Sequence, residues 1–369
     1  MIEQAEIFAL MNRNRTEFVK SSGRPAIGWL SIYTPEEILY AAGLVPFRIT
    51  GEFAQNTSEA GSMICSNFCS YLLHSLSEGI EGIYDFADGI VIVDECDWRK
   101  RLYETWKKQL NPPFTYYLEL PKMITPESKA YFRLQLKKWV AALESHYHIQ
   151  ITNEALHRSI SLHNETRTLL QRLYKLRQSD CSPVTGMEAL QIMKAATAGR
   201  KEEFNLELAR FLDDREARNE PPTKRHRVLV CGSYFDQPEL VEIIEQTGAQ
   251  IVCEDTSIGI KYAEGSIEET EDPLTAIADY YLEKATCARM FDSDIRLNHL
   301  LDLIETYEAD SVIYFTLKFC DIYLMDYPYV MNRLQQRGIS VLFIEGEQQM
   351  SNIQSIKTRV QTFLETRMF

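Results

Sequence analysis

DFADGIVIVDECD (residues 85–97) and YEADSVIYFTLKFCD (307–321) share one plan: an acidic residue, an Ala-Asp lead, an apolar β-branched run, and Cys-Asp just past its end. Short apolar runs of this kind read as strands covered on both faces. Working outward, AIGWLSIY (26–33), LVPFRIT (44–50) and FTYYLEL (114–120) accompany the first. RVLVCG (227–232), AQIVCED (249–255) and ISVLFIEG (339–346) accompany the second. Helix-period segments separate most of these strands, for example Pro35–Ala42 and PELVEIIEQTG (238–248). The alternation predicts an α/β protein with two doubly wound parallel sheets, Rossmann- or flavodoxin-like. Ligands of such open sheets gather at the carboxyl ends of the strands, where each half offers a Cys-Asp.

Between the two groups, residues 126–212 carry almost no strand signal. EALHRSISLHNETRTLLQRLYKLR (154–177) sets Leu156, Ile160, Leu169, Leu173 and Leu176 on a broad apolar side, which predicts a helical layer. Residues 213–226, DDREARNEPPTKRH, are charged, hold a Pro-Pro and contain no large apolar side chain, so they read as a boundary. The expected divisions are an amino-terminal α/β domain with a leading helix (1–125), a helical region and linker (126–226), and a carboxy-terminal α/β domain (227–369).

A chain of 369 residues exceeds one ordinary domain, and its 45% apolar and 25% charged side chains are those of a globular protein. With 53 acidic against 39 basic residues, the net charge of −14 argues against a global nucleic-acid-binding role, which needs a basic face. The first residues hold Glu3 and Glu6 and no long apolar core, unlike a signal peptide. No apolar run approaches the roughly 18 residues of a membrane span. A cytoplasmic location is expected, where thiols stay reduced and serve metals or catalysis more often than disulfides.

The sequence lacks GxxxxGK[ST], GxGxxG, HExxH, CxxC and GxSxG, which sets aside P-loop, dinucleotide-fingerprint, zincin, zinc-ribbon and nucleophile-elbow chemistry. His146 and His148 read as residues of a solvated helical face. Of the eight cysteines, Cys96 and Cys320 would converge if the two sheets face each other. Cys65, in MICSNFCSYLLHSL, stands where Cys-Ser opens an apolar helix-like run, and a helix amino terminus favours the thiolate. These three could ligate an iron–sulfur cluster or be small buried hydrophobes. Cys69 is an i, i+4 partner of Cys65 that could face the same ligand or pack in the core; Cys231 and Cys253 suit the core or a supporting role. Glu52 follows a strand end and could donate or accept a proton in a cleft, or sit on a surface loop. Arg99, Lys100, Arg101 and Lys318 flank the Cys-Asp motifs and could bind phosphates or stand exposed.

Six ordered blocks resemble the 2-hydroxyacyl-CoA dehydratase component D and benzoyl-CoA reductase family. They are GWLSIYTPEEILYAAGLVPFRITGE (28–52), DFADGIVIVDECDWRKRLYETW (85–106), SPVTGMEALQIMKAATAGRKEEF (182–204), GSYFDQPELVEIIEQTGAQIV (232–252), SVIYFTLKFCD (311–321) and GISVLFIEGE (338–347). The resemblance implies two α/β domains with a helical portion and a [4Fe–4S] cluster between them, on three cysteines per subunit. By motif these are Cys65 in MICSN, Cys96 in DECDW and Cys320 in KFCDI. It also implies an enzyme of anaerobic metabolism, a lyase or low-potential reductase acting on an acyl-CoA thioester through a ketyl-type radical. Its partners would be a homologous subunit, in a homo- or heterodimer, and a separate ATP-dependent iron–sulfur activator. Glu52, and Ser31 with Tyr33 at the end of the WLSIY strand, would line the active cleft. Related proteins carry a double-cubane [8Fe–9S] cluster and reduce small molecules, and the five further cysteines (69, 181, 231, 253 and 287) keep that alternative open. A non-catalytic subunit that relays electrons is the other.

Overall fold

The structure, a computed structural model, describes residues 4–65, 67–180, 182–218, 225–284 and 287–368. Cys181 and residues 219–224 of the expected linker lie outside them. The amino-terminal half runs α1 (Gln4–Arg13), α2 (Arg15–Lys20), β1 (Ala26–Trp29), α3 (Glu36–Ala41), β2 (Val45–Arg48), α4 (Ser58–Met63), α5 (Ser70–Ile80), β3 (Gly89–Val93), α6 (Asp97–Gln109) and β4 (Phe114–Leu118). Helices α7 (Pro126–Tyr147), α8 (Asn153–Leu176), α9 (Gly186–Ala196) and α10 (Lys201–Glu216) form the middle. The carboxy-terminal half runs β5 (Arg227–Gly232), α11 (Pro238–Gln246), β6 (Gln250–Asp255), α12 (Ile260–Ala263), α13 (Pro273–Glu283), α14 (Ser293–Thr306), β7 (Ser311–Leu317), α15 (Asp321–Gln335), β8 (Ser340–Gly346) and α16 (Ile353–Met368).

Every strand expected from the sequence forms. They build two four-stranded, all-parallel sheets of order β2-β1-β3-β4 and β6-β5-β7-β8. The two orders are the same, so the repeat seen in two strands extends to both sheets. Strands β1, β3, β5 and β7 are buried along their whole length, which is why they are apolar on both faces instead of alternating. In each sheet the chain steps outward from β1 or β5, then returns to the other side. That reversal opens a crevice between the carboxyl ends of β1 and β3, and of β5 and β7.

The helical middle packs against both halves. Leu156, Ile160, Leu169 and Leu173 of α8 are buried as the spacing predicts. The same helix also presents Arg167 to Glu37 of α3, and just past its end Arg177 lies 2.7 Å from the Glu254 carboxylate in β6. All four of these charged groups are buried, so each pair holds only while both partners stay in register, and loss of one member would cost about 3–5 kcal/mol. Phe8 of α1 meets Phe204 and Phe211 of α10 edge-on, with ring centres 5.9 and 5.8 Å apart. Residues 213–216 continue α10 instead of opening a linker. Arg172 of α8 reaches Asp213 at 3.0 Å and Glu216 at 2.8 Å, giving the charged run a helical neighbour. His146 and His148 are exposed at the end of α7, as expected.

Candidate functional site

The carboxyl ends of the two sheets enclose one cleft, with about 580 Å³ of free space including its mouth. Ile32 after β1, Glu95 and Cys96 after β3, Ser233 and Tyr234 after β5, and Leu317 and Cys320 at β7 all line it. The halves are fastened around it. Arg48 at the end of β2 donates to the Ser257 carbonyl at 2.6 Å and lies over the rings of Trp29 and Tyr234. Tyr71 stacks on Tyr234 at 4.0 Å, and its hydroxyl donates to the Ile49 carbonyl at 2.6 Å. Ser70 Oγ accepts from the Gln348 N–H at 2.8 Å. Gly232 makes the turn out of β5 possible: its φ is +131°, and a Cβ there would lie 1.8 Å from the Phe315 carbonyl oxygen.

Three thiols in this cleft stand at the amino termini of three helices. Cys69 precedes α5, Cys96 precedes α6 and Cys320 precedes α15. The free N–H groups of a first helical turn favour negative charge at that position. Contact with the Cys320 thiol, then the N–H groups of Leu72 and Tyr71, hold Cys69 below the ordinary thiol value despite its burial. The same contact pushes Cys320 well up. Burial raises Cys96 to about 11, against the pull of Arg99. Arg99, itself buried, lies 3.0 Å from Glu95, and its Nη1 has no hydrogen-bond partner among the described residues. Burial alone would raise the Glu95 carboxyl, but Arg99, with Ser31 and Cys287 close by, keeps it below its usual value.

The sequence-derived candidates separate at this cleft. Cys96 and Cys320 come together as the internal repeat suggested. Cys65 does not join them. Helix α4 ends at Met63, and Cys65 is exposed in the connection that follows. The Cys-Ser that opens the next helix is Cys69-Ser70, so the helix-terminus argument belongs to Cys69, and the two thiols do not share a helix. The apolar run that begins directly after Ser70 was the available signal. Ser31 is buried at the end of β1, where its Oγ accepts from the Tyr33 N–H at 3.1 Å. Glu52 is not among the residues that line the cleft; it pairs with Lys194 of α9 at 2.8 Å, and Lys194 also meets Asp236 at 2.7 Å. Arg99 lines the cleft, whereas Lys318 pairs at the surface with Glu347 at 3.2 Å, and Arg101 with Glu104 at 2.8 Å. Cys231 and Cys253 lie buried inside β5 and β6. Cys287, which the sequence left without a role, lines the cleft.

Thiols suit soft metals and iron–sulfur clusters. Among the described residues no three Cys, His, Asp or Glu side chains close on one point as a single ion requires. Thiols spread around a cavity, with an orphaned guanidinium N–H beside them, fit a larger anionic group. The family model described as 2-hydroxyglutaryl-CoA dehydratase, D-component, matches residues 31–366. The chain belongs to this family. It is 26% identical to the (R)-phenyllactyl-CoA dehydratase beta subunit of Clostridium sporogenes over 94% of this chain and 93% of the relative. It is 25% identical to a benzoyl-CoA reductase subunit of Thauera aromatica over 93% and 91% of the two chains. For the (R)-2-hydroxyglutaryl-CoA dehydratase subunit beta of Acidaminococcus fermentans the identity is 22%, over 99% and 98%. Family membership makes the protein an enzyme of the dehydratase or reductase kind, and relatives named as beta subunits imply partner subunits. Among the described residues no helix is long and apolar enough to cross a membrane.

Proposed function

We propose that the protein is the iron–sulfur subunit of a 2-hydroxyacyl-CoA dehydratase or benzoyl-CoA reductase-like enzyme, with a [4Fe–4S] cluster held by Cys69, Cys96 and Cys320. The observation that carries the proposal is the meeting of three thiols, each directly ahead of a helix, in the cleft between two repeated sheets. When bound, such a cluster supplies one-electron chemistry at low potential, while the protein supplies burial and orientation. Arg99 offers a hydrogen bond and positive charge to the cluster side of the cleft, and Glu95 holds that guanidinium in place. Ser31 positions Glu95. Glu52 positions the halves through Lys194 and Asp236 and does not touch the reacting atoms. On this reading electrons come from a separate ATP-hydrolysing iron–sulfur activator, and the acyl-CoA thioester reacts in a complex with a homologous subunit.

The test combines the anaerobically purified chain, its homologous partner, an ATP-dependent activator and a panel of 2-hydroxyacyl-CoA and aryl-CoA thioesters. ATP-dependent dehydration or ring reduction of one panel member is expected, and its loss when the chain is omitted. Turnover that persists without this chain would overturn the proposal.

A further inference from the structure

A second cavity lies outside the cleft, along α13 and the segment that joins it to α12. It has about 980 Å³ of free space including its mouth, and Glu264, Glu268, Asp279 and Glu283 give it an acidic lining. Four ionisable side chains join this cavity to the cleft. Glu264, just past α12, opens on the outer cavity, and both of its carboxylate oxygens lie 2.8 Å from Nε2 of His299 in α14. The other ring nitrogen, Nδ1, lies 3.4 Å from Oδ1 of Asp255, at the carboxyl end of β6. The same oxygen lies 3.3 Å from Nζ of Lys261 in α12, and Lys261 lines the cleft. Asp255 and Lys261 are buried, while His299 and Glu264 are partly exposed.

The chemistry of each link suits proton transfer. An imidazole between two carboxylates can take a proton at one nitrogen and give one from the other. Asp255 Oδ1 and His299 Nδ1 have no hydrogen-bond partner among the described residues, so each is free to bond the other. Of the two cations that line the cleft, Arg99 keeps its proton, whereas an ammonium such as that of Lys261 can give one up. Burial works against the Asp255 carboxylate, but Lys261 and then His299 hold it well below its usual value. Asp255 therefore takes a proton from His299 only after Lys261 has lost one, when a cation that kept it ionised is gone.

We propose that Glu264, His299, Asp255 and Lys261 form a proton route from the outer cavity into the cleft, with Lys261 as the donor at its inner end; its use in turnover rests on the functional reading above. In a dehydration the Lys261 ammonium gives one proton to the hydroxyl leaving the 2-hydroxyacyl thioester, which departs as water. The neutral amine regains a proton from Asp255 as Asp255 takes one from His299. His299 is recharged by way of Glu264 from water in the outer cavity. One proton enters for each one delivered, and no electron moves along the route.

Exchange of the Lys261 ammonium hydrogens with solvent tests the route without turnover. It is followed by nitrogen-15 nuclear magnetic resonance of the lysine-labelled full chain, with Lys261→Met to assign the signal. His299→Gln, which keeps polar contacts but does not relay protons, should slow the exchange about tenfold or more, and imidazole should restore it in His299→Ala. A purely structural chain of ion pairs gives the opposite sign, since loss of His299 loosens Lys261 and speeds its exchange. Unchanged or faster exchange in a folded His299→Gln chain would overturn the proposal. In the complex with the homologous subunit and activator, His299→Gln should lower turnover by a similar factor, with imidazole rescuing His299→Ala. Turnover of His299→Gln at the unaltered rate would overturn delivery from Lys261. An unaltered complex that turns over no thioester would overturn the functional reading, and the exchange result would still decide the route.

Discussion

Lys194→Met removes a cation that joins the three regions of the chain. Its ammonium lies 2.8 Å from Glu52 after β2 and 2.7 Å from Asp236 after β5, and it comes from α9 of the helical middle. The Asp236 side chain is fully buried and that of Lys194 nearly so. Methionine keeps the length and apolar stem but leaves two carboxyl groups facing each other, and loss of one partner of a buried pair costs about 3–5 kcal/mol. Burial pushes Asp236 up to about 6 against the pull of Lys194. Burial acts the same way on Glu52, but Lys194, and then Arg15, overcome it and hold Glu52 below its usual value. Lys194 itself is lowered by burial and raised more by the two carboxylates, ending above the ordinary lysine value. Its stabilising contribution is therefore complete at neutral pH and lost only as pH climbs past the lysine range. Without the ammonium both carboxyls titrate higher, and protonation relieves the variant as pH falls. Urea unfolding followed by far-ultraviolet circular dichroism should show a deficit of about 3–5 kcal/mol near pH ~8 that narrows toward pH ~5. Adding Asp236→Asn should recover a large part of it. A deficit below about 1 kcal/mol at the higher pH, or one that grows on acidification, would refute the reasoning.

His299 and Gly232 give two further tests. Burial works against the His299 imidazolium, but Asp255 at 3.4 Å and Glu264 at 2.8 Å raise it to about 9. Its stabilising contribution is full below the ordinary histidine value and lost as pH rises toward 9, so a nuclear magnetic resonance titration should find the ring still protonated at neutral pH; a midpoint below about 7 contradicts this. Gly232→Ala forces a Cβ onto the Phe315 carbonyl at a left-handed backbone position, so a loss of more than about 3 kcal/mol is expected in thermal or urea unfolding, and a change under about 1 kcal/mol is not compatible with this turn.

The strands were legible because each is a short apolar run with its own turn signals, and the doubly wound order followed from their alternation with helices. Residues 213–216 were not legible as helix, since charged side chains carry no apolar stripe; they continue α10 beyond its buried Phe211 and Leu212, and Asp213 and Glu216 meet Arg172, some forty positions earlier. Glu52 shows the same limit. A glutamate after a strand end reads as a cleft residue, but its partners Lys194 and Asp236 are far away in sequence. Cys65 and Cys69 differ only in which one stands where α5 begins, and that is decided by where α4 stops, at Met63. Arg48, Arg177 and Lys201 are fully buried, which no composition or periodicity announces. Each meets a group from another part of the chain: Ser257, Glu254 and Glu36.

The proposed cluster ligands are tested most directly by iron and sulfide analysis of single alanine variants of the full chain after anaerobic reconstitution. Cys69→Ala, Cys96→Ala and Cys320→Ala should each lose most of the iron and the brown absorbance while keeping their circular dichroism. Cys65→Ala should retain about the four irons of one cubane cluster that the proposal expects the unaltered chain to take up. A Cys65→Ala chain that loses its iron while Cys69→Ala keeps it would contradict the site assembled here.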